Sequence, residues 1–431
     1  MLAHTLNASA PDYQGFLLEL SRKGVEACLP ARVLPACLPD LANHKGRVIV
    51  IGAGKASAAM AAALEDHYGD DAPLEGIVVT RYGYGVPTRK IKIIEAAHPV
   101  PDAAGLEASN AIVAAVENLS ADDLVIALIS GGGSALLALP APGITLEEKR
   151  AINKALLSCG APIDEMNCVR KHISAIKGGR LAMAAQPARV LGLIISDVPD
   201  NDPSVVASGP TCPDAGTQGE ALEILRRYNI EVPDRVWEHL NNPENETPKP
   251  GDACFTRVET KMAARGMDAL EAAAKFAQAE GFEIINMGDG VEGEARDVAR
   301  AMVHQALDMA KSREKPFIIL SGGETTITLK GSGSGGRNQE FALAAMMEAA
   351  GDKRIYGLAI DTDGIDGDRD IAGAVFTPES FKLAEMLKLS PQDYLDNNDS
   401  YGFFAQLPEH LINTGPTYTN VNDFRAILVV P

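Results

Sequence analysis

No stretch of the 431-residue sequence comes near the run of ~18 uninterrupted apolar residues that a membrane-spanning helix needs, so the chain is not expected to cross a bilayer. The first residues, MLAHTLNASAPDY, lack the basic start and apolar middle of a secretory leader. Six dispersed cysteines (Cys28, Cys37, Cys159, Cys168, Cys212 and Cys254) show no CxxC spacing, and the eight histidines form no HxxxH or HExxH pair. That argues against zinc and against a disulfide framework, and for the reduced thiols of a cytoplasmic protein. Positive charge is also scarce. With 39 Lys and Arg against 58 Asp and Glu, the formal charge is −19. This counts against a nucleic-acid or anionic-membrane partner, since phosphate surfaces demand a basic face.

What the sequence does have is a series of hydrophobic segments that run straight into glycines or acids: VIVIGAGK to Lys55, LVIALISGGGS to Ser134, LGLIISD to Asp197, FIILSGGE to Glu324 and LAID to Asp361. In open α/β sheets ligands bind at the carboxyl ends of parallel strands, where loops converge and helix amino termini point into the crevice. The pattern therefore predicts an enzyme. From about Gly46 to Gln186 strands alternate with helices, and the strands are continuous Val, Ile and Leu. That combination predicts a doubly wound, Rossmann-like parallel sheet covered on both faces. A helical stretch from about Leu146 to Ala185 interrupts it before RVLGLIIS returns. The polar, Pro-containing NNPENETPKPGD then marks an exposed boundary. A second α/β unit follows, with EIINM, PFIILSG, TTITLK, RIYGLAI and RAILVV as strands. The Thr-rich alternation of TTITLK predicts a hairpin partner and hence a mixed sheet.

GAGKAS (Gly52 to Ser57) follows a strand and opens a helix, so its N–H groups form an anion site beside Lys55. It is not a Walker A loop. As a dinucleotide fingerprint it has Ser57 in place of the third glycine, and the next strand ends in Thr80 and Arg81 without an acid for a ribose. The glycine triplet of SGGGSA, flanked by Ser130 and Ser134, reads as a cradle for phosphate or carboxylate. NCVRKHISAIKGGRLA clusters Arg170, Lys171, His172, Lys177 and Arg180. These form either a charged helix face or a grip on a substrate carboxylate. Asp197, Glu324 and Asp361 end strands beside glycine-rich loops, a setting that suits Mg²⁺, while Asp200, Asp202, Asp366 and Asp368 read as turn caps. GSGSGGRNQE delivers Arg337 and Asn338 to the first turn of a helix, where an arginine is unfavourable unless an anion faces it. His98, between a strand and Pro99, reads as a hydrogen-bonded turn residue.

Taken in order, GAGKAS, HPVPD, LISGGGSALL, VRKHISAIKGGRLA, SDVPDNDPSVVASGPT, LSGGETT, GSGGRNQEFAL and DTDGIDG resemble the class II glycerate 2-kinases, whose C-terminal part is the MOFRL domain. The resemblance runs from about residue 12 to 430. It implies a Rossmann-like domain over 1–245 and a C-terminal mixed-sheet α/β region over 246–431 that contains the MOFRL domain (about 314–428), with the active site in the cleft between them. It also implies ATP-dependent, Mg²⁺-assisted transfer of the γ-phosphoryl group to the 2-hydroxyl of D-glycerate, giving 2-phosphoglycerate. On that footing Lys55, Arg337 and Asp197 are the catalytic candidates. Ser130, Gly131, Gly132, Gly133, Ser134, Lys177, Glu324 and Asn338 are expected at the nucleotide, and Asp197, Glu324 and Asp361 at the metal. No residue stands out for adenine. The enzyme alternative is an NAD(P)H-dependent hydroxypyruvate reductase using GAGKAS, and the non-enzyme alternative is a small-molecule sensor on the same fold. A homodimer is left open.

Overall fold

In the computed structural model, which describes residues 12–431, the apolar runs form one parallel sheet. Its strands are β1 (Val48–Ala53), β2 (Leu74–Arg81), β3 (Ile91–Ala96), β4 (Leu124–Ser130), β5 (Arg189–Ile195) and β6 (Val258–Ala264). The order is β3-β2-β1-β4-β5-β6, and every neighbouring pair is parallel. The leader-free reading of the first residues falls almost wholly outside the described residues.

Both faces of this sheet are covered, which is why its strands can be apolar at every position. Ile49, Ile51, Val79, Val125 and Ala127 pack with Ala108 and Ile112 of the helix Ala103–Ala115. Val48, Val50, Val78, Ile126 and Leu128 alternate with them and are fully buried as well. The predicted helical interruption is Leu146–Ser158, Ile163–His172 and Arg180–Ala184. The first two join Gln218–Arg227 and Asp234–Asn241 around a separate apolar cluster that includes Ile152, Leu156, Val169 and Leu225.

The remaining strands are β7 (Glu283–Asn286), β8 (Gly293–Glu294), β9 (Phe317–Ser321), β10 (Thr325–Thr326), β11 (Ile355–Asp361), β12 (Gly373–Phe376), β13 (Leu411–Ile412) and β14 (Asp423–Val429). Six of them make a mixed sheet in the order β13-β12-β11-β14-β9-β7, with only β7 and β9 parallel. Helices Ala295–Ala310 and Arg337–Ala349 cover one face, and Tyr13–Ala27 and Gly266–Ala279 the other. TTITLK does not supply a hairpin partner. Only Thr325–Thr326 pairs, in parallel with Gly293–Glu294, and the Glu294 carboxylate then accepts the Thr328 N–H in place of a strand neighbour.

The chain divides into two compact units: one comprises residues 12–26, Met267–Gly415 and Asp423–Pro431, the other Ala27–Gly266 and Pro416–Asn422. The break expected at 245/246 thus falls later in the sequence. VETKMAA has no long apolar run, yet its backbone pairs with β5 as the edge strand β6. The polar segment before it is docked, since Thr247 is buried and donates to Asp214 (3.0 Å), and Glu246 meets the Nε2 of His172 (2.8 Å).

Glu65 shows how polar groups tie this sheet together. It is 2 % exposed and accepts the N–H groups of Arg89 (2.6 Å), Lys90 and Ile91 (2.8 Å each). Burial pushes its carboxyl up, but these three donors outweigh that and hold it below the usual range. Its contribution is therefore present above the ordinary glutamate pKa of ~4.3 and fades as pH falls through that value. Glu65→Ala, which strands three donors, is expected to lower the unfolding free energy in urea by about 3 kcal/mol at neutral pH, with a smaller deficit below pH ~4.

Candidate functional site

The strand order places β1 beside β4 at the point where the winding reverses, so the turns that leave these two strands flank the crevice in which α/β sheets take ligands. The turns approach more closely than side chains allow. A β-carbon on Gly54 would stand 2.1 Å from Ser130 Oγ, and one on Gly133 2.8 Å from the Ala53 carbonyl oxygen. Lys55 N–H donates to the Gly131 carbonyl (2.9 Å) and Ala56 N–H to Ser130 Oγ (3.0 Å). The triplet's glycines are thus required by contacts with the protein itself. Ser130 is fully buried and caps the start of the Lys55 turn, so the ligand role expected of it is not available. Gly131 and Gly133 are also buried, whereas Gly132 and Ser134 line an open cavity.

Lys55 and Asp197 meet this loop at consecutive positions. A β-carbon on Gly131 would lie 1.8 Å from Asp197 Oδ2, and one on Gly132 3.3 Å from Lys55 Cγ and 3.1 Å from His98 Nε2. Asp197 follows β5 and is fixed from the far end of the sequence: Asn420 Nδ2 donates to its Oδ2 (3.0 Å) and Asn422 Nδ2 to its carbonyl (2.7 Å). Neither asparagine is conspicuous in the sequence. His98, read as a turn residue, stands against the same glycine loop.

The cavity, of about 590 Å³, lies between the strand-end loops and the helices Leu146–Ser158 and Ile163–His172. Lys149, Arg150, Lys154, Arg170 and Lys177 line it, and among the described residues no carboxylate does. Lys177 is the predicted member. Its Nζ donates to the Ser134 carbonyl (2.7 Å) and hydroxyl (3.2 Å), and that hydroxyl is 2.7 Å from Ser208 Oγ. Burial drives its pKa well down, with Lys149 and Arg170 adding repulsion. Lys149 is held by the Ala138 and Leu139 carbonyls, and burial lowers it to about 7. A signal for these residues was there to read: Lys149, Asn153 and Leu157 recur every fourth position along one helix face, with Arg150 and Lys154 beside them.

In the other unit, Arg337 opens the helix Arg337–Ala349 and is gripped by three acids. Its Nε donates to Asp423 Oδ1 (2.8 Å), Nη1 to Glu324 Oε1 (2.9 Å) and Nη2 to Asp361 Oδ2 (3.0 Å). Burial opposes its charge, but Asp423, Asp361 and Glu324 together raise its pKa well above the ordinary value. Asp423, missed in the sequence, is the centre of this knot, since it also ion-pairs with the fully buried Arg425. Asn338 is buried within it, its amide donating to Asp423 (2.7 Å) and Asp366 (3.3 Å), and so is not placed to reach a nucleotide as expected. Asp366 caps the helix through the N–H groups of Asn338 (3.0 Å) and Gln339 (2.8 Å), and burial still raises it to about 6. Asp368 likewise binds Gly335 N–H (3.0 Å), as the turn-cap reading has it.

These contacts bear on the expected metal site. Glu324 and Asp361 face a guanidinium, and among the described residues no group of three or more His, Cys, Asp or Glu side chains is arranged to hold a metal ion. Glu324 and Asp361 are thus engaged by a cation, a setting that does not fit them as ligands of a resident Mg²⁺.

The MOFRL family matches residues 317–423, and a family described as a domain of unknown function, DUF4147, matches 16–241. The chain is 37% identical over 417 residues to a Thermotoga maritima protein named D-glycerate 2-kinase, covering 96% of this chain and 97% of that one. It is 50% identical over 397 residues to an Agrobacterium vitis protein whose name, given with a qualifier, is hydroxypyruvate reductase, covering 91% of this chain and 89% of that one. A crystal structure of glycerate kinase from Thermotoga maritima is similar with a TM-score of 0.87 and 36% identity, covering 97% of this chain and 100% of the other.

Asp423 gives the knot a stability signature. Burial favours its protonated form, yet Arg337 and Arg425 outweigh that and depress its pKa. Its stabilising effect is therefore present above the ordinary aspartate value of ~3.9 and lost as pH falls below it. Asp423→Ala, which leaves Arg425 buried without its acid and Arg337 with two partners in place of three, is expected to lower unfolding stability by about 3–5 kcal/mol at neutral pH. In urea titrations the difference from wild type should shrink below pH ~4.

Proposed function

This chain belongs to the glycerate 2-kinase family that carries a C-terminal MOFRL domain, and from that premise we propose that it transfers the γ-phosphoryl group of ATP to the 2-hydroxyl of D-glycerate, releasing 2-phosphoglycerate and ADP. The observation that carries the reading is the pairing of Lys55 and Asp197 on consecutive glycines of one loop, a cation and a carboxylate delivered by different strands to the reversal point of the sheet.

Phosphoryl transfer asks the protein mainly to position reactants and to neutralise charge on the moving group. Lys55 would face the transferring phosphoryl oxygens. Asp197, oriented by Asn420 and Asn422, would accept the proton of the attacking 2-hydroxyl. Gly132 lets the chain pass close to the phosphates at a φ of 80°, which favours glycine, and Ser134, backed by Lys177, would donate a hydroxyl to them. Arg337, kept charged and oriented by its three carboxylates, would be the cation that the other unit offers to an anion. Mg²⁺ would enter as the counter-ion of ATP, whose phosphates and waters can satisfy most of its coordination, and would neutralise polyphosphate charge.

The reductase name borne by a relative finds no counterpart here. NAD needs an acid at the end of β2 for its ribose, whereas β2 ends in buried Thr80 and in Arg81; the 2′-phosphate of NADP would have to draw Arg81 from the Tyr84 ring, over which it lies at 5.5 Å.

Incubation with ATP, Mg²⁺ and D-glycerate is expected to yield 2-phosphoglycerate, resolved chromatographically from 3-phosphoglycerate. Lys55→Ala and Arg337→Ala should each lower kcat by about 10²-fold or more. EDTA should stop turnover and added Mg²⁺ restore it. Oxidation of NADH or NADPH by hydroxypyruvate, with no phosphorylated product, would refute the kinase reading.

A further inference from the structure

The cavity beside the glycine loop is much larger than glycerate requires, and its walls are of two kinds. Lys149 and Lys177 are buried in the floor, with Arg170 beside them; burial lowers the pKa of all three, and Lys149 and Arg170 lower that of Lys177 further. At the mouth the lining turns apolar: Val100 and Leu157 are both 63% exposed, although large hydrophobic side chains are costly to leave in water. Pro99, Pro101 and Ala135 continue that surface. In a chain of net charge −19, a pocket lined by five basic side chains, with no carboxylate among the described residues, selects an anion. A three-carbon hydroxy acid has no use for apolar walls. A nucleoside triphosphate has a flat, poorly solvated base at one end and concentrated negative charge at the other, and about 590 Å³ is within the range of such sites.

We infer that this cavity is the purine-nucleotide pocket, with the base against Val100 and Leu157 at the mouth and the phosphates directed inward along Arg170 and Lys177 to Gly132, where Lys55 stands. The assignment rests on the kinase reading and adds to it the base-binding surface that the sequence did not disclose. It also accounts for the two buried lysines: an entering polyphosphate supplies the negative charge that their surroundings lack, so the pocket is electrostatically incomplete without its ligand.

The test is Leu157→Glu and, separately, Val100→Glu, two substitutions at exposed positions that set a carboxylate at the mouth. Calorimetry with ADP alone, and KM values for ATP and for D-glycerate, are measured for each, with Met386→Glu, at an exposed position outside the cavity, as the control. ADP affinity and the KM for ATP are expected to worsen by tenfold or more, the KM for glycerate to stay within twofold, and Met386→Glu to behave as wild type. Should either glutamate variant unfold at a lower temperature, Lys154→Glu, on the same exposed rim, reports the charge contribution instead, with the same expected shift. Unchanged ADP affinity in the variants, or a rise in the glycerate KM alone, would overturn the pocket assignment and leave the kinase reading standing. A wild-type protein that neither binds ADP nor forms 2-phosphoglycerate would overturn both.

Discussion

The functional end of the parallel sheet depends on two turns that pass each other with no room for a β-carbon. Because Gly54 and Gly133 leave that space empty, Ser130 can cap the Ala56 N–H and Lys55 can bond across to Gly131. These contacts weld the ends of β1 and β4 into one rigid edge. The residues that face outward from that edge, Lys55, Gly132, Ser134 and His98, inherit its rigidity, which is what positioning a phosphoryl group demands. Glycine here is a packing requirement first, and any contact with a ligand follows from it.

The other unit solves a related problem with charge. An arginine at a helix amino terminus is opposed by the dipole, and a buried one also by desolvation. Asp423, Asp361 and Glu324 counter both, and Asp423 serves Arg425 as well. The guanidinium is therefore held fully charged and fixed in direction, at the cost of being partly neutralised. An anion reaching Arg337 would have to compete with acids already in place, so its pull on a phosphate is tempered, while its orientation is secure.

Much of the fold was legible because the strands of a doubly covered sheet are apolar at every position and the helices carry their own caps. The failures share a physical cause, in that backbone pairing leaves little mark on composition. VETKMAA joins the sheet through its main chain with no apolar run to announce it, and TTITLK has the alternation of a strand but lacks a neighbour beyond Thr326. Among the candidate residues, Lys55, Asp197, Lys177 and Arg337 stood out because charged residues at strand ends or helix starts are locally unfavourable. Ser130 and Asn338 carried the same local signal but are turned inward, which only packing decides. Asp423 was hidden as one acid before a hydrophobic strand, and Lys149 as one lysine in a charged helix whose stripe looked like an ordinary solvated face.

Pro416–Asn422 is grouped with a sheet whose own strands end at Ala264, and the strand that follows it, β14, returns to the centre of the mixed sheet. The two family matches along this chain are therefore not interchangeable cassettes. A gene fusion that joined residues 16–241 to a foreign C-terminal half would carry away the asparagine amides that aim Asp197. Such a chimera could keep five of the six strands of the parallel sheet, β1 to β5, and still lose the orientation of its carboxylate, so recombination at that junction is constrained by a loop encoded far downstream of it.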